Sequence, residues 1–77
     1  MLQRYEQVFR KVFNLSEAEK PEILEYQSIK QWDSVGHMAL IATIENEFSI
    51  QLEVDDVIDF SSFEEGRKIL EKYGISE

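Results

Sequence analysis

A chain of 77 residues has room for one domain, 1–77, and one modest core, but little for a cleft lined by several catalytic groups. Its 16 acidic and 8 basic side chains give a net charge of −8, which speaks against nucleic acid or an anionic membrane as partner. The charge suits basic partner surfaces, or simply solubility.

There is no cysteine, so the chain has neither a disulfide nor a thiolate of its own. No apolar run approaches bilayer length, and the amphipathic start lacks the apolar block of a signal peptide. A cytoplasmic monomer with no membrane insertion and no bound metal is expected.

The first helix is expected from about Leu2 to Asn14. Leu2, Tyr5, Val8, Phe9, Val12 and Phe13 form one apolar stripe, and Asn14 suits a left-handed end. A long connection follows, from about Leu15 to Trp32. Ser16, Glu17, Glu19 and Pro21 favour short helical turns there rather than a strong helix. Its apolar residues Leu15, Ile23, Leu24, Tyr26, Ile29 and Trp32 point to a loop packed down over the core, and loops of this length are often functional.

The second helix is expected from about Ser34 to Phe48, with Asp33 as its N-cap. A short third element spans Val54 to Phe60, with Asp55 as cap and Val57 and Ile58 reaching inward. The last helix runs from about Ser62 to Tyr73. Ser62 and Glu65 make a capping box, and Phe63, Ile69, Leu70 and Tyr73 make a buried face. Gly74 is the stop. No strand pattern is visible. The expected fold is all-α, a four-helix bundle of three longer helices and one short helix, with a long first loop.

The second helix carries two apolar faces at ~100° per residue. His37, Leu40, Ile41, Ile44 and Phe48 share the core face. Roughly opposite lie Val35, Met38, Ala39 and Ala42, flanked by Glu45 and Asn46. Two stripes suggest that one meets the core and the other a partner, unless the long loop covers the second. Ser34 sits at the edge between them, in the first turn, where free N–H groups and the helix dipole favour an attached anion. On composition alone, Ser34 reads equally as a helix-start residue beside Asp33.

The run Trp32-Asp33-Ser34-Val35-Gly36-His37-Met38-Ala39-Leu40 resembles the attachment motif of the acyl carrier protein family, whose core is Asp-Ser-Leu ahead of an amphipathic helix. Val35 stands where Leu is usual. Glu45-Asn46-Glu47-Phe48 resembles the family's helix ending. The stretch from Ile50 to Leu52, the Asp-rich short helix and the closing helix follow in the family's order, so the resemblance covers essentially the whole chain. It implies a carrier rather than an enzyme. A phosphopantetheinyl transferase would move a 4′-phosphopantetheine arm from coenzyme A onto Ser34, with Asp33 as cap and recognition residue. The arm's thiol would carry acyl groups as thioesters to acyl-transferring, condensing or ligase enzymes. Val35, Met38, Ala39, Ala42, Glu45 and Asn46 would form the docking face. His37, Leu40, Ile41, Ile44 and Phe48 would be candidates for an acyl pocket, since in this family a chain can fold back into the bundle. Gly36, Ala39 and Ala42 make the face near Ser34 less acidic than in many fatty-acid carriers. A dedicated polyketide-like or lipid-modifying pathway is therefore as well supported as the main fatty acid synthase.

Other residues admit more than one reading. His37, the only histidine, is a core-edge imidazole with one hydrogen bond, a guard of the acyl pocket favouring polar or short cargo, or the base of a Ser–His pair for which no orienting acid is evident. Glu53, Asp55, Asp56 and Asp59 read as a solvated acidic face or a weak divalent-ion site; they lack the turn glycine of a calcium loop. Trp32 and Phe48 read as core anchors or ligand-stacking rings. Gly36 marks close approach by another surface, such as a modifying enzyme, or has no role. A non-covalent helical adaptor is the competing function.

Overall fold

The computed structural model describes residues 3–75. Among these, the chain forms four α-helices and no strand: α1 (Gln3–Phe13), α2 (Ser34–Phe48), α3 (Val54–Asp59) and α4 (Phe63–Lys72), with a single 3₁₀ turn at Pro21–Ile23 in the long connection. The expected all-α arrangement of three longer helices and a short one is present. Leu2, placed on the first apolar stripe, lies outside the described residues.

Periodicity explains α1. Tyr5, Val8, Phe9 and Phe13 are buried on one face, and Val12 packs at its edge. Arg10 and Lys11 sit in the last turn, where positive charge suits the dipole. Asn14 ends the helix at φ 53°, and the Leu15 N–H returns to the Arg10 carbonyl at 3.1 Å.

The connection 15–32 lies over the core as expected, with Pro21, Leu24 and Trp32 buried and Leu15 and Ile29 half-buried against them. Ile23 and Tyr26 are exceptions, 75% and 38% exposed. The loop is fixed to the start of α4 by backbone bonds. The Tyr26 N–H donates to the Ser61 carbonyl at 2.8 Å, and the Phe63 N–H to the Leu24 carbonyl at 3.0 Å, as an isolated antiparallel bridge between Glu25 and Ser62.

The core is dominated by rings. Tyr5, Phe9, Phe13, Trp32, Phe60 and Phe63 are each at most 2% exposed. Phe9 stands edge-on to Trp32 and Phe63, at 5.4 and 5.0 Å, and Tyr5 meets Phe63 at 4.5 Å. The Tyr5 hydroxyl donates to the Phe63 carbonyl at 2.7 Å; burial pushes this phenol's pKa up, so it stays a donor. α4 approaches closely because position 66 is glycine. A Cβ there would lie 2.2 Å from the Phe60 ring and 2.3 Å from the Tyr5 hydroxyl. Trp32 is a core anchor. Phe48 is half-buried, with the Arg4 guanidinium 4.8 Å above its ring.

Three expectations for the second half of the chain are corrected. Glu53, not Asp55, is the N-cap of α3, and it makes no side-chain capping bond; Asp55 is exposed. Ile58 does not reach inward but is 71% exposed, whereas Val57 packs against the core. Six residues are too few turns for periodicity to fix a rotation. Asp56 leaves the acidic surface: it is 7% exposed, accepting from Lys72 Nζ at 2.7 Å and from the Tyr73 hydroxyl at 2.5 Å. Lys72, then Tyr73, hold its carboxyl below the ordinary value. The α4 boundaries fall as expected: Ser62 Oγ accepts from the Glu65 N–H at 2.9 Å, and Gly74 follows the helix at φ 84°.

Candidate functional site

The site begins at the break between the loop and α2. Asp33 is extended, at φ −103° and ψ −167°, and its Oδ1 accepts from the Gly36 N–H at 2.8 Å. The helical ladder starts beside it, with the His37 N–H on the Asp33 carbonyl at 2.7 Å. These bonds leave the Ser34 and Val35 N–H groups of the first turn without an acceptor among the described residues. Ser34 is the first helical residue and is exposed. Its hydroxyl is thus open to a second protein at the positive end of a 15-residue helix.

Gly36 does mark a close approach, but to the chain itself. A Cβ at this position would lie 1.9 Å from the Gln31 carbonyl oxygen. Gln31 is held in turn by its side chain, which donates to the Phe13 carbonyl at 2.9 Å. Glycine lets the loop press against the first turn and so sets where Asp33 and Ser34 stand.

His37 makes two bonds where sequence suggested one. The Trp32 indole N–H donates to Nδ1 at 3.0 Å, and Nε2 meets the Val57 carbonyl at 2.8 Å. An indole nitrogen only donates, so Nδ1 is the acceptor and the ring proton sits on Nε2. One side chain thereby joins the loop, α2 and α3. Both ring nitrogens are engaged away from Ser34, so His37 is not arranged as a base for that hydroxyl.

Beside Ser34 lies an open, mostly apolar groove of about 310 Å³, lined by Tyr26, Ser34, His37, Met38, Val57, Ile58, Phe60 and Ser61. Of the five pocket candidates, only His37 lines it. Leu40, Ile41 and Ile44 are at most 3% exposed within the core, and Phe48 lies at the far end of α2. The reason is rotation: the core face of α2 turns toward α1, its principal partner, rather than toward α3. Tyr26, Phe60 and Ser61 carried no spacing signal; they reach the groove through the bridge between the loop and α4.

The outward face is open, and the loop does not cover it. Val35 and Met38 are 76% and 57% exposed, and Ala39, Ala42 and Asn46 are exposed with them. Val54 and Ile58 of α3 add two more exposed apolar side chains. Glu45 is half-buried, and its Oε2 accepts the Leu52 N–H at 2.8 Å, so it also tethers the segment leading to α3. No group of three His, Cys, Asp or Glu among the described residues is placed to hold a metal ion, and no helix there is long and apolar enough to cross a membrane.

No protein-family model, curated protein or solved structure matches this chain.

Proposed function

We propose that this chain is an acyl carrier protein that bears a 4′-phosphopantetheine arm on Ser34. The observation that carries the reading is the placement of one exposed hydroxyl at a capped helix start, between an open apolar face and an apolar groove. The Ser34 and Val35 N–H groups suit a phosphodiester on this hydroxyl. Asp33 and Gly36 fix the first turn so that a transferase meets a formed helix end. When attached, the arm supplies the thiol that this cysteine-free chain lacks. In loading, the Ser34 oxygen loses its proton and bonds to phosphorus, the pyrophosphate of coenzyme A breaks, and adenosine bisphosphate leaves.

Val35, Met38, Ala39 and Ala42 are the surface offered to enzymes of the pathway, with carboxylates around it for basic partners. Gly36, Ala39 and Ala42 leave the outward face near Ser34 without acidic groups, which suits a dedicated pathway at least as well as the main fatty acid synthase. The exposed face also supports a second reading, a helical adaptor that binds without covalent modification. Intact mass separates the two. Apo protein incubated with coenzyme A and a broad-specificity phosphopantetheinyl transferase should gain one arm, and Ser34→Ala should gain none while keeping its helical circular dichroism. A folded wild-type chain that gains no mass from an active transferase is an adaptor, not a carrier.

A further inference from the structure

We infer that His37 closes the bundle interior, confining an acyl cargo to the groove between α2 and α3 and limiting this carrier to short acyl groups. The inference rests on the carrier reading and goes beyond it by naming the size class of the cargo and the residue that sets it.

The groove next to Ser34 holds about 310 Å³. At about 30 Å³ per water in the liquid, that is a space on the order of ten small groups, open to solvent on its outer side. Any part of the arm that enters uses the same space. A longer chain must leave the groove for solvent or pass inward beyond His37.

The inward route is closed by hydrogen bonds and by packing. Displacing the imidazole breaks the bond from Trp32 and the bond to the Val57 carbonyl. It also strands the indole N–H of Trp32, which is 0% exposed, and a lost partner for a buried donor is costly. Behind His37, Trp32 lies nearly parallel to it at 16° and 6.2 Å, while Phe60 flanks it at 6.2 Å. Trp32 is backed by Phe9 and Phe13 at 5.4 and 5.3 Å. Interlocked rings yield less readily than aliphatic side chains with several rotatable bonds, because each ring that moves displaces its neighbours.

The test uses the chain's single tryptophan as an internal reporter. Apo protein is loaded by a transferase with butanoyl-, octanoyl- or hexadecanoyl-coenzyme A, and loading is confirmed by intact mass. The Trp32 indole signal is then followed in a proton–nitrogen correlation spectrum, and Tm is measured. In the wild type, the indole signal should stay in place for all three cargoes, and Tm should level off by octanoyl. In His37→Ala, hexadecanoyl should shift the indole signal and raise Tm above the octanoyl value. An indole signal that moves progressively with chain length in the wild type overturns the inference, whether or not the variant folds. Absence of any added mass fails at the loading step, and there it is the carrier reading that falls, taking the inference with it.

Discussion

The side of the molecule where α1 meets α4 and the side where α2 meets α3 are held by different forces. On the first, Tyr5, Phe9, Phe13, Trp32 and Phe63 bury their rings against one another. On the second, α3 offers α2 a half-buried Val57, whose carbonyl meets His37, and its other attachment, Asp56 to Lys72 and Tyr73, runs to the end of α4. Val54 and Ile58 of α3 remain in solvent. Burial is insensitive to pH and adds stability with area, whereas a few directional bonds hold a position and respond to protonation. The difference teaches that α2, which carries Ser34, is seated on α1 by buried side chains, whereas α3 beside it is held chiefly by directional bonds.

The largest effect that tests the division is Phe9→Ala. Phe9 is 0% exposed and contacts four other rings, so truncation should cost about 3–5 kcal/mol by the denaturant midpoint. A cost near that of a surface substitution would show that the rings are not the base of the fold. Gly36→Ala comes next, where the loop meets α2. Alanine would gain up to ~1 kcal/mol in helix propensity. Its Cβ would meet the Gln31 carbonyl, which is anchored to α1 through the Gln31 side chain, and such overpacking costs about 1–3 kcal/mol. Net destabilisation is expected in thermal melts; a more stable variant would mean that the loop yields freely.

Asp56→Asn should have the smallest effect and the most specific signature. The folded carboxyl titrates below its ordinary value of 3.8, chiefly because of Lys72 and then Tyr73. Its contribution is therefore full above the unfolded value and is lost as pH falls through the depressed folded value. Glu64, held low by Arg67, acts in the same direction. Melts between neutral pH and strong acid should show a shallower acid loss in Asp56→Asn than in the wild type, with a residue of the slope left by Glu64. An unchanged acid profile would show that α3 is not attached through this carboxylate.

Sequence carried the helices better than the contacts between them. The start of α2 was legible because Asp33 precedes a long apolar period, and its two faces were legible because 15 residues make four turns. The α1 stripe and the Gly74 stop were legible for the same local reasons. What escaped depends on residues distant in sequence or on elements too short to show a period. Asp56 sits in an acidic run that looks solvated until Lys72 and Tyr73 arrive from α4. His37 looked like a core-edge ring, and nothing local announced that Trp32 and Val57 would take both its nitrogens. Leu40, Ile41 and Ile44 were rightly placed inside, but sequence could not say that they face α1 rather than the groove.

The backbone bridge between residues 24–26 and 61–63 has a temporal consequence. A growing chain emerges N-terminus first, so Ser34 is made well before the strip that holds its loop in place. Until Ser61 and Phe63 have been added, Leu24 and Tyr26 lack these partners and one wall of the groove does not exist. The finished surface around Ser34 must therefore wait for the start of α4, remote from the serine along the chain.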